Sequence, residues 1–125
     1  MAKFFLISGA LVCFLAVAIG AFGAHALKDV LTAHNRLDTF ELAVKYQFYH
    51  AFALLAVGVL IQVFQNKVFA TAGYCFMIGI FLFSGSLYAL SLTNIGKFGA
   101  ITPIGGVFFL VGWAVLAWHL YKTKA

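Results

Sequence analysis

Glu41-Leu42-Ala43-Val44-Lys45-Tyr46-Gln47-Phe48-Tyr49-His50 runs straight into the apolar stretch Ala51–Ile61, and this junction decides how the chain is read. It holds one of only three acidic residues, and polar side chains crowd here as nowhere else in the sequence. At about 100° per residue, Tyr46, Gln47 and His50 share one helical face with Ala43 and Leu54. Glu41, Lys45 and Tyr49 fall on another, with Glu one turn before Lys, the favourable order for an ion pair. The stretch therefore reads as a helix entering a membrane, with an ion pair on one side and a Tyr/Gln/His triplet on the other.

Composition sets the environment. The chain is 65% hydrophobic and 9% charged, whereas a soluble domain has about a quarter charged residues. Four apolar runs, 4–26, 40–64, 68–92 and 102–121, are each long enough to cross a bilayer. The expected fold is an all-α integral membrane bundle of about four transmembrane helices, forming one domain over residues 1–125. Leu27, Val30, Leu31 and Leu37, set among Lys28, Asp29, Asn35, Arg36 and Asp38, predict a short amphipathic segment at the interface. The first run also resembles a secretory leader, with Ala24-His25-Ala26 as a small-x-small site. It exceeds the usual apolar length of such leaders, about 7–15 residues, and is read as a span.

The formal charge of +5 comes from eight scattered cations. They form no concentrated basic footprint, so nucleic acid is excluded as a partner. They sit at segment ends, where they anchor helices to head groups. Four spans place both termini on one side, read as cytoplasmic, in the inner membrane. Cys13 and Cys75 lie inside apolar runs and read as small buried hydrophobes rather than a disulfide.

Packing signals are small residues. Gly9, Cys13, Ala16, Gly20 and Ala24 form one stripe, and Gly85, Ala89 and Thr93 another; both are expected at close helix contacts. On that basis Gly20→Leu and Gly85→Leu should disrupt folding more than Leu60→Ala, with Leu60 read as lipid-facing. Ser84, Ser86 and Ser91 are expected to bond back to their own helix. Trp113, Trp118, His119 and Tyr121, followed by Lys122 and Lys124, read as an interfacial belt.

Chemistry is expected at the leaflet that gathers His25, Glu41, Tyr46, Gln47, His50, Tyr88 and Thr102. His25 and His50 are expected to approach each other, with Glu41, Tyr46 and Tyr88 as candidate partners of His50. In Thr102-Pro103-Ile104-Gly105-Gly106, Thr102 reads as a helix cap, Pro103 as the first helical residue, and the unshielded first-turn amides as a seat for an anion or a lipid head group. A well-capped, closely packed helix accounts for the same residues. No metal-binding spacing, nucleophile–base pair or phosphate loop is present, so no catalytic residue, metal or cofactor is assigned.

Four stretches carry a resemblance across nearly the whole chain: Gly20-Ala21-Phe22-Gly23-Ala24-His25-Ala26-Leu27, Tyr46-Gln47-Phe48-Tyr49-His50-Ala51, Gly85-Ser86-Leu87-Tyr88-Ala89-Leu90 and Thr102-Pro103-Ile104-Gly105-Gly106. Together they resemble the YgdD-like family of small bacterial inner-membrane proteins, a domain of unknown function with eukaryotic relatives. The resemblance implies a multi-pass membrane protein and brings no activity or catalytic residue. Three functions stay open: a non-catalytic accessory or binding protein with a polar site at one leaflet, a subunit of an oligomeric small-molecule or ion transporter or channel, and a His-centred metal or haem enzyme. The first is preferred. Its partners are the bilayer, a lipid head group or small anionic ligand, and a homo-oligomer or larger membrane complex.

Overall fold

The computed structural model describes residues 1–124. Helix α1 (Ala2–Ala24) is followed by a short α2 (Lys28–Ala33) and a long α3 (Leu37–Phe64). A 3-10 turn, Lys67–Phe69, leads into α4 (Ala70–Gly79), which passes through a π-helical turn at Ile80–Ser84 into α5 (Gly85–Thr93). A second 3-10 turn, Gly96–Ala100, precedes α6 (Thr102–Lys122). With α4 and α5 counted as one rod, four helical segments among the described residues are long and apolar enough to cross a membrane. The protein is an all-α membrane bundle. Asn35, Gln65 and Asn94 adopt left-handed φ values of 54°, 51° and 55°, and each ends or follows a helix where such a residue stops the ladder.

Bilayer lipid is itself apolar, so helices associate through close fit rather than through hydrophobic exclusion. Here the fit is phenylalanine on glycine. Phe40 of α3 seats on Gly23 of α1, and Phe5 of α1 seats on Gly73 of α4. Helices α4 and α6 exchange the same contact, Phe76 on Gly112 and Phe109 on Gly79. Phe83, in the π-turn, lays its backbone against Gly105. A methyl group added at any of these glycines would collide with its partner. Phe5, Phe40, Phe76 and Phe109 are all buried.

The π-turn changes the partner of the third span. Helix α4 packs chiefly on α6, whereas α5 leaves α6 and packs on α3. Ser84, at the end of the turn, donates to the Ala43 carbonyl of α3 at 2.8 Å, instead of bonding back to its own helix as expected. Ser86 and Ser91 do bond back, to Phe83 and Tyr88. Helix α2 is the expected short polar segment, with Leu31 fully buried. It is fastened to the end of α5, where His34 Nδ1–H donates to the Ser91 carbonyl (3.0 Å) and Arg36 Nε donates to Asn94 Oδ1 (3.1 Å).

One polar side chain ties three helices. Gln47 of α3 is 5% exposed. Its Nε2 donates to the Val12 carbonyl of α1 (3.0 Å), and its Oε1 accepts from Tyr88 Oη of α5 (2.6 Å). Hydrocarbon would leave this amide without partners, so α3 can sit here only with α1 and α5 beside it.

The small-residue expectation holds for part of α1 and fails for α5. Of the expected stripe, Gly9 and Ala16 are buried, Cys13 and Gly20 are half-buried, and Ala24 is exposed, while Gly23, outside the stripe, is buried. A methyl group added at Gly20 would meet only Val44 Cγ1, at an ordinary 3.4 Å. A methyl group added at Gly85 would meet nothing within 4 Å; Gly85 faces outward, because the π-turn directs Ser84 and Leu87 rather than Gly85 towards α3. Leu60 is half-buried against the core, not lipid-facing.

Three outcomes follow for thermal unfolding in detergent. Gly105→Ala should destabilise by about 1–3 kcal/mol, because the Phe83 backbone cannot yield as a side chain can. Gly85→Ala should be neutral or stabilising by up to about 1 kcal/mol. Tyr88→Phe should cost about 1 kcal/mol by leaving Gln47 Oε1 without its donor; hydrogen exchange at α5 should rise with it.

Candidate functional site

The face carrying Tyr46 and His50 looks towards α6, and α6 answers with rings. His50 is 4% exposed, and its imidazole stacks on Phe109 with centroids 3.5 Å apart and planes 8° from parallel. Trp113 Nε1 donates to His50 Nε2 at 3.0 Å. An indole N–H only donates, so Nε2 must hold a lone pair. Nδ1 then carries the hydrogen and donates to the Tyr46 carbonyl at 2.9 Å. His50 is thus a neutral imidazole with both nitrogens engaged. Its one metal-binding lone pair is already occupied by Trp113.

Tyr46, Phe83, Phe109 and Trp113 line a groove between α3 and α6 with His50 at its floor. Pro103, Gly106, Val107 and Leu110 complete the α6 wall, and the space measures about 390 Å³. Val107 and Leu110 are among the most exposed apolar residues, so the groove opens to the hydrocarbon. Its wall is low at Gly106, where an added methyl would meet only the Phe83 ring, at 3.9 Å. Tyr46 is half-buried, and its hydroxyl is not sealed inside the protein.

The expected site residues part company. Tyr46, His50 and Gly106 come together in this groove. Gln47 and Tyr88 bond each other instead, so Tyr88 is not the partner of His50. His25 and His50 do not meet. Gly23 lies against Phe40, which sets His25 near the start of α3, and His50 follows ten residues later, about 15 Å along the helix. His25 is exposed in a shallow hollow with Ala18, Ala21, Phe22 and Ala26.

Thr102 makes no capping bond. Its hydroxyl pairs with that of Ser86 at 2.6 Å, linking α6 to α5, while Ile101 takes the cap position and Pro103 stands in the first turn. Gly105 is filled by Phe83, which closes the expected anion seat. Glu41 and Lys45 are both exposed and line a different hollow, against α1. The expected ion pair between them is absent: among the described residues no Lys, Arg or His nitrogen lies within 4.0 Å of a carboxylate.

Sequence reasoning missed Trp113, Phe109 and Phe83. Trp113 stands nine residues before Lys122, more than two turns inside the end of α6 and too deep for an interfacial belt. That depth was the available signal, since a tryptophan N–H so far inside needs an acceptor on another helix. Trp118 and Tyr121 do sit exposed at the end, with the Lys122 ammonium 4.8 Å from the Trp118 ring.

The family described as "Protein of unknown function (DUF423)" matches residues 19–106, so the matched segment starts beside Gly20 and closes on Gly106. Named relatives span nearly the whole chain. A UPF0382 membrane protein of Staphylococcus saprophyticus is 48% identical over 120 residues, covering 96% of this chain and 98% of its own length. The UPF0382 membrane protein YwdK of Bacillus subtilis is 44% identical over 115 residues, or 91% and 93% of the two chains. One from Haemophilus influenzae is 43% identical over 112 residues, or 90% and 89%. No solved structure matches. With its groove and its glycine contacts inside the matched segment or on the helices flanking it, the chain belongs to the DUF423 family of UPF0382 membrane proteins.

Proposed function

We propose that this protein is a non-catalytic binding or accessory protein of the membrane, and that its site is the groove between α3 and α6. The observation that carries this reading is a ring-lined hollow open to lipid, with a neutral, fully bonded histidine at its floor. A volume of about 390 Å³ falls in the range of small-molecule sites, roughly 300–1,000 Å³. Along α6 the groove runs from Pro103 to Trp113, about 15 Å and so about half the hydrocarbon thickness. Shape and lining suit a bilayer-soluble amphiphile with an aliphatic or flat apolar body and one group able to bond the Tyr46 hydroxyl. They do not suit a free anion, which would find no cation in the groove. A metal or haem at His50 would first have to break the Trp113 bond.

The chain forms one transmembrane unit of the YgdD-like kind, set in the inner membrane with both termini cytoplasmic. Support for termini on a common side comes from the bundle itself. Met1 shares a hollow with Gln62, Gln65 and Lys67, and His119 Nε2 lies 3.3 Å from Thr71 Oγ1 at the same end.

The test fills the groove without disturbing the core. In nanodiscs holding a palmitic acid probe with a mid-chain diazirine, photolabelling should concentrate on Val107–Trp113. Gly106→Leu should lower that labelling roughly tenfold, the equivalent of about 1.4 kcal/mol of contact, with little change in thermal stability. Labelling spread evenly over lipid-facing positions such as Phe14 and Val63, and indifferent to Gly106→Leu, would sink the groove as a binding site.

A further inference from the structure

The opposite flank of α3 carries a second feature that the groove does not use. Glu41 and Lys45 stand one turn apart at the polar end of the helix, in the order that favours pairing, yet they do not pair. Both border a hollow of about 220 Å³ whose far wall is the glycine face of α1 at Gly20 and Gly23. Phe40 and Val44 form its floor. The hollow therefore has an apolar base, a low wall, and two unneutralised charges of opposite sign at its rim.

Their order along the membrane normal is informative. Helix α3 enters at Leu37, so Glu41 is the outer charge and Lys45 lies about 6 Å deeper. Asp38, exposed in the first turn, adds a second carboxylate on the outer side. A glycerophospholipid with an aminoethyl head presents its charges in the matching sequence, with an ammonium outermost and a phosphate nearer the glycerol. We infer that this hollow is a site for the head of a zwitterionic aminophospholipid, Lys45 meeting the phosphate and Glu41 the ammonium, with the two-carbon link between them lying over Phe40 and Val44. An anionic lipid lacks the group that Glu41 would bind. A trimethylammonium head lacks the N–H donors that a carboxylate accepts. The site therefore discriminates by charge order and by hydrogen bonding together.

The test is native mass spectrometry of the protein released from nanodiscs of equimolar phosphatidylethanolamine, phosphatidylcholine and phosphatidylglycerol. Wild type should retain phosphatidylethanolamine over both others. Glu41→Gln should erase the preference over phosphatidylcholine, a loss of about two- to fivefold in relative retention. Lys45→Gln should lower retention of all three, and the exchange Glu41→Lys with Lys45→Glu should not restore the preference, because it inverts the charge order. Both positions altered, Glu41 and Lys45, carry exposed side chains, and melting in detergent verifies that the variants fold. Equal retention of the three lipids by wild type overturns the proposal, as does a phosphatidylethanolamine preference that survives Glu41→Gln or the exchange. Gly106→Leu leaves this hollow intact, so loss of the groove reading and loss of this one are separately visible.

Discussion

Lipid dissolves a leucine as readily as a neighbouring helix does, so a membrane bundle cannot be held by the force that collapses a soluble core. What remains is fit, and in this protein fit means an aromatic ring received by a glycine on another helix. The contacts Phe40–Gly23, Phe5–Gly73, Phe76–Gly112 and Phe109–Gly79 join α1 to α3, α1 to α4, and α4 to α6 in both directions. Each ring fixes rotation and height at once, because a glycine seat admits it at only one place. Leu55 on Gly9 and Leu6 on Gly58 add the same kind of seat between α1 and α3, and the pair between α4 and α6 flanks Trp113 where it bonds His50.

Polar groups then act as register pins. Gln47 reaches a backbone carbonyl on α1 and a hydroxyl on α5, and Ser84 reaches a carbonyl on α3. These are closed pairs, and among the described residues no open row of donors crosses the bundle, which favours a binding role over a conducting one. The groove differs from them in kind. Its walls are rings, and its histidine is held in one tautomer by two partners, so it offers a shaped and uncharged surface instead of a reactive one.

The all-helical architecture was legible because four apolar runs admit no other arrangement in a bilayer. The burial of Gln47 and His50 was legible too, since hydrocarbon gives neither a partner. Which partners they take was not, because that depends on how α1, α5 and α6 slide along α3, and the ring–glycine seats set that slide. A glycine read singly is ambiguous: Gly23 is filled by Phe40, while Gly85, in an equally suggestive row of small residues, meets nothing. Thr102-Pro103 was equally open, since the hydroxyl that would cap α6 found a better partner in Ser86 across the gap. Glu41 and Lys45 have the spacing of an ion pair, but their exposure lets each stay apart from the other.

The π-turn at Ile80–Ser84 was invisible in the hydropathy pattern, and it works as a change of phase. A turn with an extra residue rotates all that follows by roughly 100° relative to an uninterrupted α-helix. Before it, the third span shows Phe76 and Gly79 to α6; after it, the span shows Ser84, Leu87 and Tyr88 to α3. The span therefore carries two half-length messages written in different reading frames, joined by one surplus residue. An insertion or deletion there would leave each half well formed and put them out of step, so this turn is the place where the length of the chain, rather than the identity of any side chain, carries the information.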